Sequence, residues 1–600
     1  MSTSLRHNEY YDMQDTFDWL YDRSKKKATN GLRLYEIITS KENILLAYRN
    51  IKANSGSKTM GTDGLNIADY KIIDEETFIG DIRATLKDYK PNSVRRVQIP
   101  KPNGKLRPLG IPTIRDRIIQ QMFKQVLEPI CEARFHNHSY GFRPNRSTHH
   151  AMARSQHLIN NNGLHFVIDV DIKGFFDNVN HTKLLKQMYD IGIKDRRVLK
   201  IVSKMLKAPI KGEGVPTKGT PQGGILSPLL SNIVLNELDW WISDQWESFE
   251  TNHKYSRNDK KYRALKSTKL KEKYIVRYAD DFKIFTRHSK TATRIFQSVK
   301  NYLKDNLKLD ISIEKSQITN LRRRTSDFLG FKIKATKKKS KYVAHTFVQD
   351  KKAESIKTKL RELIKTIQKN PTRKTVSAYN TYVMGIKNYY KYATHVNIVF
   401  VKIAHQISRT LYNRLKTVGK YEIPFKPDET YLIFNKNNYK TFKVCDIYLH
   451  PIMDIQTKNV MNFKQDICNY TKDGRLKIHT ELKADITIEL HKIARTIYEQ
   501  NSVELADNKL SKYSAQKGNC SVTGEFLYAN EVHFHHIKPV SLGGTDEYRN
   551  LVGIHRDIHK LIHATTTETI VKYMNRLRLN GKQLEKVNKF RKECNLFSLV

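Results

Sequence analysis

The spacing of apolar residues changes along this chain, and the changes predict its elements. Two short runs, Tyr274-Ile275-Val276-Arg277 and Phe282-Lys283-Ile284-Phe285, are rich in β-formers. They flank Tyr278-Ala279-Asp280-Asp281, which predicts a tight hairpin with two adjacent carboxylates at its tip. Leu164-His165-Phe166-Val167-Ile168-Asp169-Val170-Asp171 predicts a buried strand ending in an acid. Beyond residue 341 the period becomes helical. Ile356, Leu360, Leu363, Ile364 and Ile367 share one face, with Lys and Arg around the rest. Residues 379–392 predict a second helix. Phe400, Ile403, Ile407, Leu411 and Leu415 form the stripe of a third, with Arg409 and Arg414 outside it. Near the C-terminus, His535-His536-Ile537-Lys538-Pro539 predicts a short strand and Ser541-Leu542-Gly543-Gly544 a turn. Asn550-Leu551 then precedes a predicted helix with His555, His559 and His563 on one face.

The intervening segments carry less pattern. Residues 1–40 read as polar and irregular, and residues 56–64 as a Gly/Ser/Thr-rich loop. Residues 241–273 read as a basic surface insertion. Residues 332–341, with six lysines in ten positions, read as a connector. Residues 430–515 give little specific signal. At 600 residues the length allows three or four domains.

Charge narrows the partners. Lys and Arg number 107 against 60 Asp and Glu, a formal excess of 47 positive charges. Such an excess implies a polyanionic partner and salt-sensitive binding. No apolar run approaches the roughly 20 residues needed to cross a bilayer, and the N-terminus has no signal-peptide core. The five cysteines have no Cys-x-x-Cys spacing. The expectation is a protein without membrane partners in a reducing, cytoplasmic compartment, bacterial or organellar.

The paired acids are the most informative chemistry. Adjacent carboxylates repel, and one is expected to resist ionisation unless divalent cations sit there. A third acid completes such a site. Asp169 and Asp171 share a strand face, and Asp171 is chosen because it lies at the open end. Asp169 and Asp177 are assigned supporting roles.

These residues carry a resemblance. Asp171-Ile172-Lys173-Gly174-Phe175-Phe176-Asp177, Gly219-Thr220-Pro221-Gln222-Gly223-Gly224-Ile225-Leu226-Ser227-Pro228-Leu229-Leu230 and the Tyr-Ala-Asp-Asp box resemble a reverse transcriptase, closest to the group II intron-encoded reverse transcriptase/maturase family. Lys101-Pro102-Asn103-Gly104-Lys105-Leu106-Arg107-Pro108-Leu109-Gly110-Ile111-Pro112 and Gly141-Phe142-Arg143-Pro144-Asn145-Arg146-Ser147 resemble its fingers motifs. Glu314-Lys315-Ser316 and Phe328-Leu329-Gly330-Phe331 resemble its last palm blocks. The order holds over most of residues 40–420.

The resemblance implies a multidomain α+β protein with a right-hand polymerase. Fingers and palm would occupy residues 1–335, with an N-terminal extension over 1–50. A helical thumb or maturase domain would follow over 345–430, a DNA-binding domain over 431–515 and a small ββα-metal domain over 516–600. It implies that Asp171, Asp280 and Asp281 hold two Mg²⁺, and that Lys101 and Arg107 approach the incoming dNTP. Gln222 would lie near the nascent base pair, and Phe328, Leu329, Gly330 and Phe331 would place the primer, although that run also suits ordinary strand packing. Phe176 resembles a steric gate against a ribose 2′-hydroxyl and reads equally as a core phenylalanine.

The C-terminal block has a second chemistry. Six of the 22 histidines, His533, His535, His536, His555, His559 and His563, fall within 31 residues, where even use gives about one. Imidazole near pKa 6.5 accepts protons and binds metal at neutral pH. The block resembles an HNH nuclease. By that resemblance His536 is the general base, Asn550 orients its loop, and His535, His559 and His563 hold one divalent metal, with Mg²⁺ expected. Many relatives frame this domain with two Cys-x-x-Cys pairs. Here Cys520 remains, Thr523 takes the second position, and His555 and Ile558 replace the other pair, so a structural zinc is not expected. Packing around Phe526, Val532, Leu551 and Ile562 is expected to hold the motif.

Together the two activities imply target-primed reverse transcription, with intron RNA, target DNA and dNTPs as partners. Other readings are a non-enzymatic maturase that chaperones intron RNA, a reverse transcriptase of retron or CRISPR-associated type, and a viral RNA polymerase.

Overall fold

The computed structural model describes residues 7–54, 56–70, 72, 74–100, 106–478, 489, 492–493 and 503–599. The fold is mixed α+β, with every named strand pair antiparallel. Its centre is a four-stranded sheet in the order Tyr274–Tyr278, Asp281–Thr286, Phe166–Val170, Gln317–Asn320. The first three of these strands are largely apolar on both faces because both faces are covered. Ile168, Val170, Ile275, Phe282 and Ile284 join a core built with the helices Ile114–Glu132, Ser227–Ser243 and Ser289–Leu307. The alternate residues Val167, Tyr274, Val276 and Phe285 face a second core. That core includes the predicted stripes of two helices, Asp350–Lys369 and Val396–Leu415, and the helix Arg373–Tyr390, which takes up most of the predicted 379–392. Ile356, Leu360, Ile364, Ile367, Phe400, Ile403, Ile407 and Leu415 are buried, and Leu363 and Leu411 partly so.

Four expectations are corrected. Residues 1–40 are not irregular: the helices Gln14–Lys25 and Leu34–Ile38 bury Phe17, Leu20, Leu34 and Ile38, and Ser24 Oγ donates to the carbonyl of Ile130 at 2.8 Å. A few apolar anchors in a polar stretch suffice when a long helix lies beneath them. Residues 332–341 are not a connector but a β-hairpin of Phe331–Lys338 with Lys341–Val348, whose alternation buries Ile333 and Ala335 and exposes the lysine tip. Residues 241–273 are not wholly superficial, since Trp246 and Leu265 are buried in the second core. A strand, Leu551–His555, stands between Asn550 and the predicted helix, so His555 is the cap of the helix Arg556–His563 rather than a residue on its face.

The three-stranded sheet of Lys420–Glu422, Thr441–Val444 and Ile447–Tyr448 leads into a stretch that returns to the N-terminal half. There Arg475 pairs with Asp18 at 2.7 Å, and the Tyr470 hydroxyl donates to Glu128 at 3.1 Å. A third core closes the C-terminal part around Val522, Ile554, Ile558, Leu561 and Val587. No helix among the described residues is long and apolar enough to cross a membrane.

Candidate active sites

The first site stands at one end of the central sheet. Tyr278 pairs with Asp281, so Ala279 and Asp280 form a two-residue turn, and Val170 pairs with Phe282, bringing Asp171 beside Asp281. The three acids therefore converge. Their mutual effect shows in their ionisation. Burial foremost raises the Asp280 carboxyl, and the Asp171 charge adds to it while Arg107 and Arg277 oppose. Asp281 keeps a solvent-facing side, yet desolvation by the protein around it foremost pushes its carboxyl up to about 6; Lys283 opposes this, and Asp169, Asp280 and Asp171 add to it. Carboxylates that resist ionising together suit a divalent cation, which relieves their repulsion. Asp169 is engaged elsewhere, by the Lys283 ammonium and the Ser326 hydroxyl. The Asp171 amide donates to Ser316 Oγ at 3.1 Å, and Lys315 lies 3.6 Å from its carboxylate.

Ala279 has φ +58°, a conformation that costs a non-glycine residue on the order of 1 kcal/mol. Its support comes from residues that sequence reasoning missed. Arg277 is fully buried beneath the turn and donates to the Ala279 carbonyl and to Asn232 Oδ1, both at 2.9 Å. Its fork grips Asp239, also fully buried, at 2.7–2.9 Å. Asn232 in turn donates to the Gly141 carbonyl at 2.9 Å. A Cβ on Gly141 would stand 2.3 Å from the Ala279 nitrogen, so only glycine permits this approach. The signal available was an arginine inside an apolar strand, which is rarely buried without a partner.

The other expected residues gather unevenly. Arg107 Nε donates to Gln222 Oε1 at 2.8 Å, and Gln222 reaches toward Asp177 at 3.5 Å. Lys101 lies outside the described residues. Phe176 is half-buried; its carbonyl accepts from Thr220 at 2.7 Å, which ties it to the Gln222 loop. Phe328 and Phe331 are buried, the latter stacked on Tyr389 at 5.5 Å, and Leu329-Gly330 is the half-exposed hairpin tip between them.

The second site is a ββα unit. Val532–His536 pairs with Leu551–His555, and the helix Arg556–His563 follows. His535, His559 and His563 come together, with ring centroids 4.7–5.3 Å apart. His533 lies against His559 at 3.7 Å. Burial and neighbouring imidazoles hold His535 and His559 down to about 3, so both rings are neutral at physiological pH, the form that binds metal. His536 Nε2 lies 2.9 Å from Asp546 Oδ1, a partner the sequence did not suggest. Asn550 staples the loop: its Oδ1 accepts from the Lys538 amide, and its Nδ2 donates to the carbonyls of Lys538 and Thr545. Cys520, Leu551 and Ile562 are buried, and Phe526 and Val532 are partly buried against the core.

Comparison with known proteins agrees with this division. Residues 99–333 match the family described as reverse transcriptase (RNA-dependent DNA polymerase), and residues 518–565 match HNH endonuclease. The chain is 34% identical to Protein YkfC of Escherichia coli over 350 residues, 53% of this chain and 88% of that protein. It is 32% identical to the group II intron-encoded protein LtrA of Lactococcus lactis over 440 residues, 61% of this chain and 71% of that one. The chain belongs to the group II intron-encoded reverse transcriptase/maturase family. A putative COX1/OXI3 intron 1 protein of Saccharomyces cerevisiae is similar over 64% of the chain, at 28% identity. This member of the family is an RNA-directed DNA polymerase with an HNH endonuclease domain. Both families use divalent metals.

Proposed function

We propose that Asp171, Asp280 and Asp281 are the metal-holding acids of the polymerase and that Mg²⁺ is the ion. The convergence of three mutually repelling carboxylates at one sheet end carries this reading. The bound ions would stabilise the attacking and leaving oxygens of an in-line displacement, as metals about 4 Å apart do in such sites. This chain's residues do the rest. Asp280 and Asp281 are set by the turn, and Arg107, held by Gln222, offers a forked cation to a triphosphate. Lys101 is its proposed companion. Phe176 and Gln222 lie on adjoining segments suited to reading the sugar and base of the nucleotide, and Leu329-Gly330 is the hairpin tip offered to the primer.

In domain terms, the central sheet acts as palm, residues up to 335 include the fingers, and the helices of 345–430 act as thumb and RNA-binding surface. Residues 431–515 contact target DNA, and 516–600 nick it. His536 accepts the proton of the attacking water, with Asp546 orienting its ring and Asn550 fixing its loop. His535, His559 and His563 supply metal donors. Nicking frees a 3′-hydroxyl, and the polymerase extends it on intron RNA, so the partners are intron RNA, target DNA and dNTPs.

Exchange of Asp280 and Asp281 for Ala is expected to abolish primer extension on an RNA template while leaving RNA binding intact. His536→Ala is expected to stop nicking of target DNA and spare extension on a supplied primer. Extension surviving the double change, or nicking surviving His536→Ala, refutes the corresponding assignment.

A further inference from the structure

The C-terminal helix Gly581–Glu593 ends in a residue that the nuclease resemblance does not use. Cys594 caps that helix, and its ligand atom lies within 4.8 Å of those of His535 and His563, all three mutually within that distance. The meeting is built rather than accidental. Arg591, itself buried, donates Nη1 to the carbonyls of Leu561, Ile562 and Ala564 at 2.8–3.0 Å. That grip satisfies the C-terminal carbonyls around the helix Arg556–His563 and fixes Cys594 against His563. Asn588 and Leu599 exchange two further hydrogen bonds of 2.7–2.8 Å, which hold the chain end in place.

His535 is the second observation. Its side chain is 1% exposed, and its Nε2 has no hydrogen-bond partner among the described residues. Its Nδ1 lies 3.3 Å from His563 Nε2. Two imidazole nitrogens bound tetrahedrally to one ion at about 2.0–2.1 Å stand about 3.3–3.4 Å apart. The Nδ1 spacing suits two donors on one ion as well as a hydrogen bond, and the unpaired Nε2 leaves this buried ring one partner short. His563 is exposed on its outer side, which leaves an entry path.

We propose that His535, His563 and Cys594 form a metal site for a borderline divalent ion of the Zn²⁺ class. A thiolate with two imidazoles is a donor set suited to Zn²⁺ and poorly suited to Mg²⁺, which takes oxygen ligands. Binding deprotonates the Cys594 thiol and releases that proton to solvent. These three donors leave a fourth position, for the neighbouring His559, for water or for an oxygen of a phosphodiester. The site shares His535 and His563 with the nuclease reading above but requires only binding, not nicking.

The test uses the full-length chain, stripped with chelator and titrated with Co²⁺, whose thiolate charge-transfer absorption reports sulfur ligation. One equivalent with that absorption is expected. Cys594→Ser and, separately, His563→Asn should abolish it with unchanged circular dichroism, while Cys445→Ser, remote from the group, should retain it. Elemental analysis after Zn²⁺ loading should show the same loss of one equivalent. No thiolate absorption in the parent chain, or its persistence in Cys594→Ser, overturns the proposal. Nicking measured on the same preparations separates the two readings. Thiolate-bound cobalt without nicking under any divalent ion counts against the nuclease alone, and nicking without the thiolate signal counts against this site alone.

Discussion

At Asp281 the folded chain holds a carboxyl that keeps its proton up to about pH 6, against about 4 in an unfolded chain. The folded form thus binds that proton more tightly. Metal-free stability from this group is present below about pH 4 and is lost as pH rises toward 6. A bound cation removes the penalty on the charged form. The metal-free protein is therefore expected to melt at lower temperature at pH 7 than at pH 5, and Mg²⁺ should raise the melting temperature more at pH 7. Asp281→Asn should flatten both responses, as scanning fluorimetry of the full chain would show. Identical profiles for the variant and the parent would refute the assigned proton. The acids themselves were legible from sequence through the third acid and the ordered motifs around them, since a pair of carboxylates alone is most often a plain turn. The choice of Asp171 over Asp169 rested only on its place at the open end of the strand. Both share a strand face, and the buried Lys283 that engages Asp169 is more than 100 residues away in sequence.

Among the elements, the helix Ser227–Ser243 and the catalytic hairpin form one mechanical unit through Asp239, Asn232 and Arg277. Arg277→Leu leaves the Asp239 charge buried and unpaired, a loss of about 3–5 kcal/mol by comparison with other buried pairs. Combining it with Asp239→Leu removes both charges and should recover much of that stability in denaturant unfolding. Primer extension should not recover, because the Ala279 carbonyl still lacks its donor and the strained turn its support. Recovery of extension alongside stability would show that the pair serves folding alone. The elements that sequence revealed were those with long regular stripes, such as Asp350–Lys369. Those it concealed were short or rich in polar residues. The helices near the N-terminus rest on a few anchors, and the lysine-rich hairpin alternates with only small or few apolar residues inward. His555 fitted the i, i+4 series of the following helix, but its backbone belongs to the strand that pairs with Val532.

Across the whole molecule, the excess of 47 positive charges sets how the two activities reach their substrates. The apolar faces of the three helices over 350–415 are committed to the second core, and apart from the buried Lys387 most of their lysines are left on the outside. Lys365, Lys369 and Lys374 are exposed there. If the helices grip RNA through those faces, binding is driven largely by release of counterions from phosphates. Affinity for a structured intron RNA is then expected to fall by about 10³-fold or more between 50 and 200 mM salt, as for proteins with 6–10 phosphate contacts. Changing these three lysines to Gln should weaken binding at low salt and make the plot of log affinity against log salt shallower, by about one unit of slope per lost contact. Fluorescence anisotropy across a salt series reads both quantities. An unchanged slope in the triple variant would move the RNA surface elsewhere on the chain, and a slope near zero in the parent would remove the electrostatic basis for it altogether.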